Sequence, residues 1–263
     1  MTATDSWDPA QYHRFQDERR QPFVDLLALL RPAPGGRAVD LGCGTGELTS
    51  ALHHHLEAGH TLGVDRSEAM LAKTGAWVEP GLSFVQAEIG AFARAGHECF
   101  DVIAANASLQ WVADHLQVLA RLRERLRPGG QLAFQVPANA DHPSHAAARQ
   151  VAAEAPFAEA LAAGRASFQD TIPPPETYAV LLHELGFAEQ TVRLQVYGHL
   201  LASTGDVVEW VKGTLLTPYR EALDEASYSA FLDRYRARLM ELLGDRQRYF
   251  YPFKRILCWA TLP

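Results

Sequence analysis

The sequence predicts an α/β protein, a doubly wound sheet of seven strands with a helical cap. Short apolar segments that alternate with longer segments of helical spacing are typical of strands buried between two layers of helices. Two further stretches, 138–175 and 201–243, contain helical apolar faces that must pack somewhere. We expect these helices to pack together as a cap over the strand ends.

The composition is that of a globular protein, because 48% of the residues are hydrophobic and 21% are charged. No apolar run approaches the roughly 20 residues that span a bilayer. Residues 1–20 are polar and lack a signal peptide's apolar core, so we expect a cytoplasmic protein with no membrane partner. The net charge of -7 disfavours a nucleic-acid partner. The three cysteines are far apart, which indicates neither a disulfide framework nor a zinc site.

The first predicted helix lies within residues 7–31. Its apolar positions fall on one face, and they are Phe15, Phe23, Leu26, Leu27 and Leu30. The proline and glycine residues of 32–36 then end the helix and lead into the first strand.

The segment Val39–Gly46, Val-Asp-Leu-Gly-Cys-Gly-Thr-Gly, is the central feature of the sequence. Its glycines allow a tight turn after a buried strand, so a ligand can approach the backbone closely. The segment Glu47–Leu56 continues at helical spacing, and the free N–H groups of a helix N-terminus favour a carboxylate-bearing ligand. The G-x-G-x-G spacing differs from the pyrophosphate fingerprint G-x-G-x-x-G. Glu47 would repel a pyrophosphate, whereas Asp40 suits an ammonium group.

Polar residues follow the next three strands, which we predict at 61–65, 82–85 and 100–105. The second strand ends in Asp65, whose carboxylate can accept two ribose hydroxyls, and Ser67 is the expected N-cap of the next helix. Glu88 follows the third strand, and Asn106–Trp111 follows the fourth. Ligands of open α/β sheets bind at the carboxyl ends of the strands, so we expect the reacting groups here.

The remaining elements are predicted from periodicity and turn residues. They are a helix at 112–127, a turn at 127–130, a fifth strand at 131–136, a helix at 176–185, a sixth strand at 191–199, two or three helices at 201–243 and a closing strand within 249–262. His53, His54 and His55 point about 100° apart on a helix and cannot converge on one metal ion. No other His, Cys or carboxylate cluster has metal-ligand spacing, so we expect no metal.

The glycine loop resembles motif I of the class I S-adenosylmethionine-dependent methyltransferases, and three later segments fall in the same order as that family's motifs. Asn106–Trp111, Asn-Ala-Ser-Leu-Gln-Trp, lacks the Asn-Pro-Pro-Tyr sequence of amide and exocyclic-amine methyltransferases. With the Asp8-Pro9 and Tyr12 pattern, it resembles the trans-aconitate 2-methyltransferase family. Further matches to that family extend over almost the whole chain, and they are Pro143–His145, Tyr197-x-His199 and Glu209–Val211.

The resemblance implies a Rossmann-like methyltransferase sheet with a reversed last strand, S-adenosylmethionine as cofactor and a small-molecule acceptor. The implied cofactor residues are Arg19, Asp40, Gly42, Gly44, Asp65, Met70, Glu88, Ile89 and Asn106. The candidate catalytic residues are Gln110, His145 and His199, and the candidate acceptor-binding residues are Trp111, Tyr197, Tyr219, Tyr249, Lys254 and Arg255.

The expected division is a cofactor-binding core at 1–137 and 176–200, cap segments at 138–175 and 201–245, and a closing core strand at 246–263. The sequence does not indicate an oligomeric state.

Three functions are compatible with this interpretation. The resemblance implies O-methylation of a carboxylate of a small organic acid, which needs no general base. Where the family has Arg-Pro-Trp in the cap, this chain has Thr217-Pro218-Tyr219, so a less charged acid or a hydroxyl compound is an alternative. A phenol or amine acceptor would use His145 or His199 as the base. A non-catalytic module that only binds S-adenosylmethionine is the third possibility.

Overall fold

A computed structural model describes residues 16–96, 98–163 and 172–263, with only the backbone described at 16–19 and 163. Its strands are β1 (Arg37–Leu41), β2 (His60–Asp65), β3 (Leu82–Gln86), β4 (Phe100–Asn106), β5 (Leu126–Pro137), β6 (Glu189–Ser203) and β7 (Gln247–Thr261). Within the described ranges they form one sheet of seven strands in the order β3-β2-β1-β4-β5-β7-β6. The predicted doubly wound α/β sheet is therefore confirmed.

Strands β1 to β5 run parallel to one another. β1 pairs in parallel with β2 and β4, β2 pairs with β3, and β4 pairs with β5. β7 runs antiparallel to β5, with Gln131 opposite Thr261 and Pro137 opposite Arg255. The strand order changes direction at β1 and β4, so their carboxyl ends border the crevice in which open α/β sheets bind ligands.

The helices before β5 are α1 (Gln16–Leu27), α2 (Glu47–Leu56), α3 (Glu68–Leu71), α4 (Ile89–Arg94) and α5 (His115–Glu124). The later ones are α6 (Pro143–Ala152), α7 (Phe157–Ala163), α8 (Pro175–Glu184), α9 (Gly205–Lys212), α10 (Thr217–Ala222) and α11 (Glu225–Leu243). None of them has the length and apolarity that a membrane crossing requires.

The chain divides into two compact units. The larger contains Arg19–Ala138, Ile172–Gln195 and Lys254–Pro263, and the smaller contains the described residues of Met1–Glu18, Asn139–Thr171 and Val196–Phe253. The core of the larger unit consists of buried strand residues such as Val39, Ile103 and Phe134. These runs are apolar on both faces because helices cover both faces of a parallel sheet.

The smaller unit has an apolar core of its own, in which Trp210, Phe231 and Tyr235 are almost completely buried. The smaller unit also contains a bidentate ion pair, in which the Arg234 guanidinium donates to both carboxylate oxygens of Glu154, at 2.6 and 2.8 Å. The unit contains α6 and α7 from one predicted cap segment and α9–α11 from the other.

Three predicted boundaries were wrong. The fifth strand begins at Leu126, because residues 127–130 belong to the strand and a register shift between Phe100 and Val102 of β4 accommodates them in place of the predicted turn. The helix predicted at 112–127 begins at His115, after a 3₁₀ turn and a left-handed Asp114 (φ 51°). The sixth strand extends at both ends, over Glu189–Ser203. Phe15, predicted for the apolar face of the first helix, lies outside the described residues.

Candidate active site

The glycine loop after β1 is shaped by three left-handed residues. Gly42, Gly44 and Gly46 have φ values of 81°, 56° and 85°, a region that favours glycine. The N–H groups of Gly42 and Cys43 donate to the carbonyl of Val64, at 2.7 and 3.0 Å, which holds the loop beside the end of β2. A Cβ on Gly42 would overlap the side chain of Ser108. The loop therefore lies against the segment that follows β4.

Asp65 ties the glycine loop to the next helix. One carboxylate oxygen accepts from the Gly44 N–H and the other from the Ser67 N–H, both at 2.8 Å. Ser67 is the N-cap of α3, as predicted, and accepts from the N–H of Met70. Each carboxylate oxygen has a further lone pair, so Asp65 can still accept from a ligand.

Asp40 is the buried acid of the site. It is 3% exposed, and one of its carboxylate oxygens accepts from the Thr49 hydroxyl at 2.6 Å. Burial raises the pKa of Asp40 to about 6; the Thr49 hydrogen bond opposes this, and the charge of Asp65 adds to it. At neutral pH the group is still mainly ionised, so it can attract a cation.

The other predicted cofactor residues differ in exposure. Met70 is buried, and its terminal methyl carbon lies 3.5 Å from where a Cβ of Gly44 would be. Glu88 is exposed and Ile89 is half-buried at the start of α4. The side chain of Arg19 lies outside what the structure describes, as does the whole of Tyr12.

Asn106, at the carboxyl end of β4, belongs to a hydrogen-bonded row that the sequence analysis missed. Its side-chain oxygen accepts from Gln135 Nε2 at 2.7 Å, and Gln135 Oε1 accepts from Arg255 Nη1 at 2.9 Å. Gln135 and Arg255 are 1% and 7% exposed. A glutamine in the apolar interior of the fifth strand was the available signal, because buried amides are retained where they have partners.

Gln110 and Trp111 follow Asn106 in a 3₁₀ turn. Gln110 Nε2 donates to the carbonyl of Ala107 at 2.6 Å. Its Oε1 is buried and has no hydrogen-bond partner among the described residues. Buried acceptors are normally paired, so this oxygen fits a donor on a bound molecule. Trp111 is 37% exposed, as an apolar wall for a ligand would be.

His145 lies in a polar cluster of the smaller unit. His142 Nδ1 is 3.1 Å from the Ser144 N–H nitrogen, and His142 Nε2 is 3.0 Å from the Tyr249 hydroxyl. The Ser144 hydroxyl is 3.3 Å from His145 Nδ1. Burial, with the nearby charges of His142 and Arg149, lowers the pKa of His145 to about 4. His142 was not predicted; it is the N-cap of α6.

The other acceptor candidates of the smaller unit are packed aromatic residues. The ring of His199 lies 4.6 Å from that of Trp210, and Tyr219 stacks on Phe231 at 4.7 Å. Tyr197 is 7% exposed. Lys254 and Arg255 belong to the larger unit, where the Lys254 carbonyl accepts from the Ala138 N–H at 2.9 Å.

In the described part of the chain, no group of three or more His, Cys, Asp and Glu side chains is arranged to hold a metal ion. The three consecutive histidines face three different partners. His53 is bonded to Thr61, His54 to the Ser50 carbonyl and His55 to the Leu30 carbonyl.

A family model described as a methyltransferase domain matches residues 12–192. The trans-aconitate 2-methyltransferase of Deinococcus radiodurans is 44% identical over 98% of this chain and 99% of its own length. The enzymes of that name from Methylobacterium nodulans and Streptomyces avermitilis are 40% and 38% identical, over 97% and 98% of this chain and 97% of each relative. This chain belongs to the trans-aconitate 2-methyltransferase family.

Solved structures agree on the fold. Haemonchus contortus phosphoethanolamine N-methyltransferase 2, solved with S-adenosylhomocysteine, is 16% identical with a TM-score of 0.54, and the match covers 93% of this chain and 52% of that one. The YcgJ protein of Bacillus subtilis is 13% identical with a TM-score of 0.57, and the match covers 92% of this chain and 98% of that one. The family member described here is thus an S-adenosylmethionine-dependent methyltransferase.

Proposed function

We propose that this enzyme transfers the methyl group of S-adenosylmethionine to a carboxylate of a small organic acid similar to trans-aconitate, and releases a methyl ester. Relatives with that name match nearly the full length of the chain, the smaller unit included. The cofactor supplies a methyl group already activated on a sulfonium.

We assign the cofactor to the larger unit, whose residues fit its chemistry. Asp65 would accept from the ribose hydroxyls, and Asp40 would bind the ammonium group. Met70 would pack on the adenine face. Gly44, which has no side chain, would leave the loop backbone accessible to the cofactor. The exposed Glu88 and the half-buried Ile89 would border the adenine. A buried acid on β1 and a half-buried acid at the end of the neighbouring β2 support a ligand that carries both hydroxyls and a cation.

The observation that carries the carboxylate assignment is the environment of His145. A base is most effective when its pKa is near the working pH, and burial holds the pKa of His145 at about 4. A histidine in this state is a poor base toward a phenol or an amine. A carboxylate is already ionised at neutral pH and has no proton to lose.

Hydrogen-bond donors in the smaller unit support an acid as acceptor. A backbone N–H can only donate, so His142 Nδ1, facing the Ser144 N–H, is the unprotonated nitrogen. His142 Nε2 then donates to the oxygen of Tyr249, and the phenol hydrogen is directed onward. Burial raises the pKa of Tyr249, which keeps that hydrogen in place. We propose that Tyr249 donates to the acid.

Lys212 and Arg220 are cations of the cap sequence that could replace the family arginine found at the position of Thr217, but their surroundings do not favour that role. The Lys212 ammonium is 2.7 Å from the Glu209 carboxylate, and Arg220 is exposed.

Because the methyl group is already activated, the remaining task of the protein is to align donor and acceptor and to exclude water. Orientation of this kind contributes roughly 7–11 kcal/mol to such reactions.

The nature of the methylated product tests the proposal. Purified enzyme is incubated with methyl-labelled S-adenosylmethionine and, separately, with trans-aconitate, dicarboxylic and monocarboxylic acids, phenols and amines. Methyl esters release labelled methanol in mild alkali, whereas methyl ethers and N-methyl groups do not. Alkali-labile label on an acid is the expected result, and alkali-stable label on a phenol or amine would replace the proposal with the base-catalysed alternative.

We further propose a cytoplasmic enzyme that acts without a nucleic-acid partner, which the net charge of -7 supports. The cap boundaries at 138–175 and 201–245 also remain a proposal.

A further inference from the structure

The row of Arg255, Gln135 and Asn106 has a fixed hydrogen-bond direction. A guanidinium can only donate, so the Gln135 atom that faces Arg255 Nη1 must be the amide oxygen. The NH₂ group of Gln135 therefore faces Asn106, and the Asn106 atom that receives it must be the carbonyl oxygen. The remaining group of Asn106, its NH₂, faces away from the row.

The row is rigid because Gln135 and Arg255 are buried within the sheet. Gln135 lies on β5 directly opposite Asn106 in the parallel register, and opposite Leu257 of β7. Its main-chain carbonyl also accepts from the Ala107 N–H at 3.0 Å. Asn106 is half-buried, and no described residue accepts from its NH₂ group. An amide fixed in this way is preorganised as a donor.

We propose that Gln135 and Arg255 are positioning residues that hold Asn106 with its NH₂ group presented to a carboxylate at the carboxyl end of β4. The guanidinium also places a positive charge three hydrogen bonds from that carboxylate. The carboxylate belongs either to the amino-acid part of the cofactor or to the acceptor acid. The second source rests on the proposed function.

Gln135→Glu is the decisive variant because it reverses the hydrogen-bond direction at Asn106 and keeps a hydrogen-bonding side chain of similar size at position 135. The new carboxylate accepts from Arg255 through one oxygen, but its other oxygen can only accept from Asn106. Asn106 must then turn its NH₂ group inward and present its oxygen to the ligand carboxylate. Gln135→Met is the matched variant that removes both bonds and leaves Asn106 free to adopt either orientation.

Calorimetry with three ligands at pH 7.5 separates the possible results. S-adenosylhomocysteine carries the amino-acid carboxylate, methylthioadenosine has the same nucleoside without it, and trans-aconitate is titrated into protein saturated with S-adenosylhomocysteine. We expect Gln135→Glu to weaken one carboxylate ligand by about tenfold to a hundredfold, and Gln135→Met to weaken it less. Methylthioadenosine affinity should change less than twofold. The ligand that weakens identifies the source of the carboxylate.

A double-variant comparison distinguishes positioning from general support of the sheet. In an Asn106→Ala background, Gln135→Glu should have no further effect on the carboxylate ligand. The urea unfolding midpoint of the single variant Gln135→Glu should not fall below that of Gln135→Met, because Gln135→Glu retains and strengthens the hydrogen bond to Arg255.

Two results would overturn the inference. One is a parallel loss of methylthioadenosine and S-adenosylhomocysteine affinity in Gln135→Glu. The other is a Gln135→Glu variant with unchanged S-adenosylhomocysteine affinity whose trans-aconitate affinity equals that of the wild type, or cannot be compared because the wild type does not bind that acid. Failure of the wild type to bind trans-aconitate counts against the acid acceptor alone, since the comparison of the two nucleosides still reports on Asn106.

Discussion

Asp40 is a residue at which stability and the proposed cofactor binding oppose each other. Its carboxyl is buried, and a buried charge without a cation beside it reduces the stability of the fold. The unfolded chain loses this proton near the ordinary pKa of 3.8, whereas the folded protein keeps it up to about pH 6. Because the folded state binds more protons between these values, its stability falls as the pH rises through that interval and stays lower above it.

Asp40→Asn should therefore stabilise the ligand-free enzyme at pH 7 by roughly 2–3 kcal/mol, and by much less near pH 4. The same variant should bind S-adenosylhomocysteine more weakly, because the charge for its ammonium group is lost. Urea unfolding at both pH values and calorimetry measure the two effects. Equal stabilisation at pH 4 and pH 7 would show that the charge of Asp40 is not the cause.

Asp65→Ala should weaken S-adenosylhomocysteine binding by about 1.5–3 kcal/mol, the usual contribution of hydrogen bonds to a charged group. The loss has two sources, the contacts to the ribose hydroxyls and the Gly44 N–H that the carboxylate holds. Glu124→Ala, an exposed acid on α5, is the calorimetric control and should bind normally. Unchanged affinity in Asp65→Ala would remove this residue from the ribose role.

The site residues that the sequence predicted are those whose signal is local. Gly42 and Gly44 follow a buried strand and Asp65 ends the next one, and a strand followed by a polar turn can be recognised from neighbouring positions. Gln135 is 29 positions from Asn106, and His142 is 107 positions from Tyr249. Such pairs depend on strand order and on the folding of the smaller unit, which local patterns do not specify.

The glycine loop between β1 and α2 shows how one element depends on another. Gly42 is left-handed, and the space beside it is filled by Ser108, whose hydroxyl donates to the Leu41 carbonyl at 2.5 Å. Gly35 is also left-handed, with a φ of 70°, but no atom lies within 4 Å of the position of its Cβ. Substitution of Gly35 therefore tests the cost of left-handed backbone alone, whereas substitution of Gly42 adds the cost of the overlap with Ser108.

Gly35→Ala should lower the free energy of unfolding by about 1–2 kcal/mol, the cost of a side chain in left-handed backbone. Gly42→Ala should lose a further 1–3 kcal/mol or so from the overlap with Ser108, and should also bind S-adenosylhomocysteine weakly. Urea unfolding of both variants provides the comparison. Equal destabilisation would mean that Ser108 moves aside without cost.

Strand boundaries show the limit of periodicity. The interior of β5 was predicted because its residues are apolar, yet its beginning at Leu126 was missed because Pro128, Gly129 and Gly130 are turn residues. Pairing with β4 through a register shift, and a bond from the Gly129 N–H to the Pro263 carbonyl, accommodate them in the strand. Tertiary pairing overrides local turn preference at this position.

The whole molecule combines an α/β unit that suits the cofactor with a helical unit that has its own apolar core. The sequence predicted the first closely, since each strand has a distinct apolar run. For the second it predicted helices but not their partners, because helix packing among Trp210, Phe231 and Tyr235 depends on contacts distant in sequence.

Methyl transfer from a sulfonium needs no Lewis acid, so we expect chelator treatment to leave the activity of the enzyme intact. Activity is measured before and after dialysis against a strong chelator, with the same dialysis without chelator as control. A loss that a divalent metal reverses would contradict this expectation.

The pH dependence of the chemical step tests the carboxylate acceptor most directly. A small carboxylic acid has a pKa near 4, and His145, with a pKa of about 4, is already neutral above pH 6. Single-turnover methyl transfer at saturating acid and cofactor should therefore be nearly constant from about pH 6 to 8, in the wild type and in His145→Gln alike. A wild-type rate that rises about tenfold per pH unit and collapses in His145→Gln would contradict the account and establish a general base.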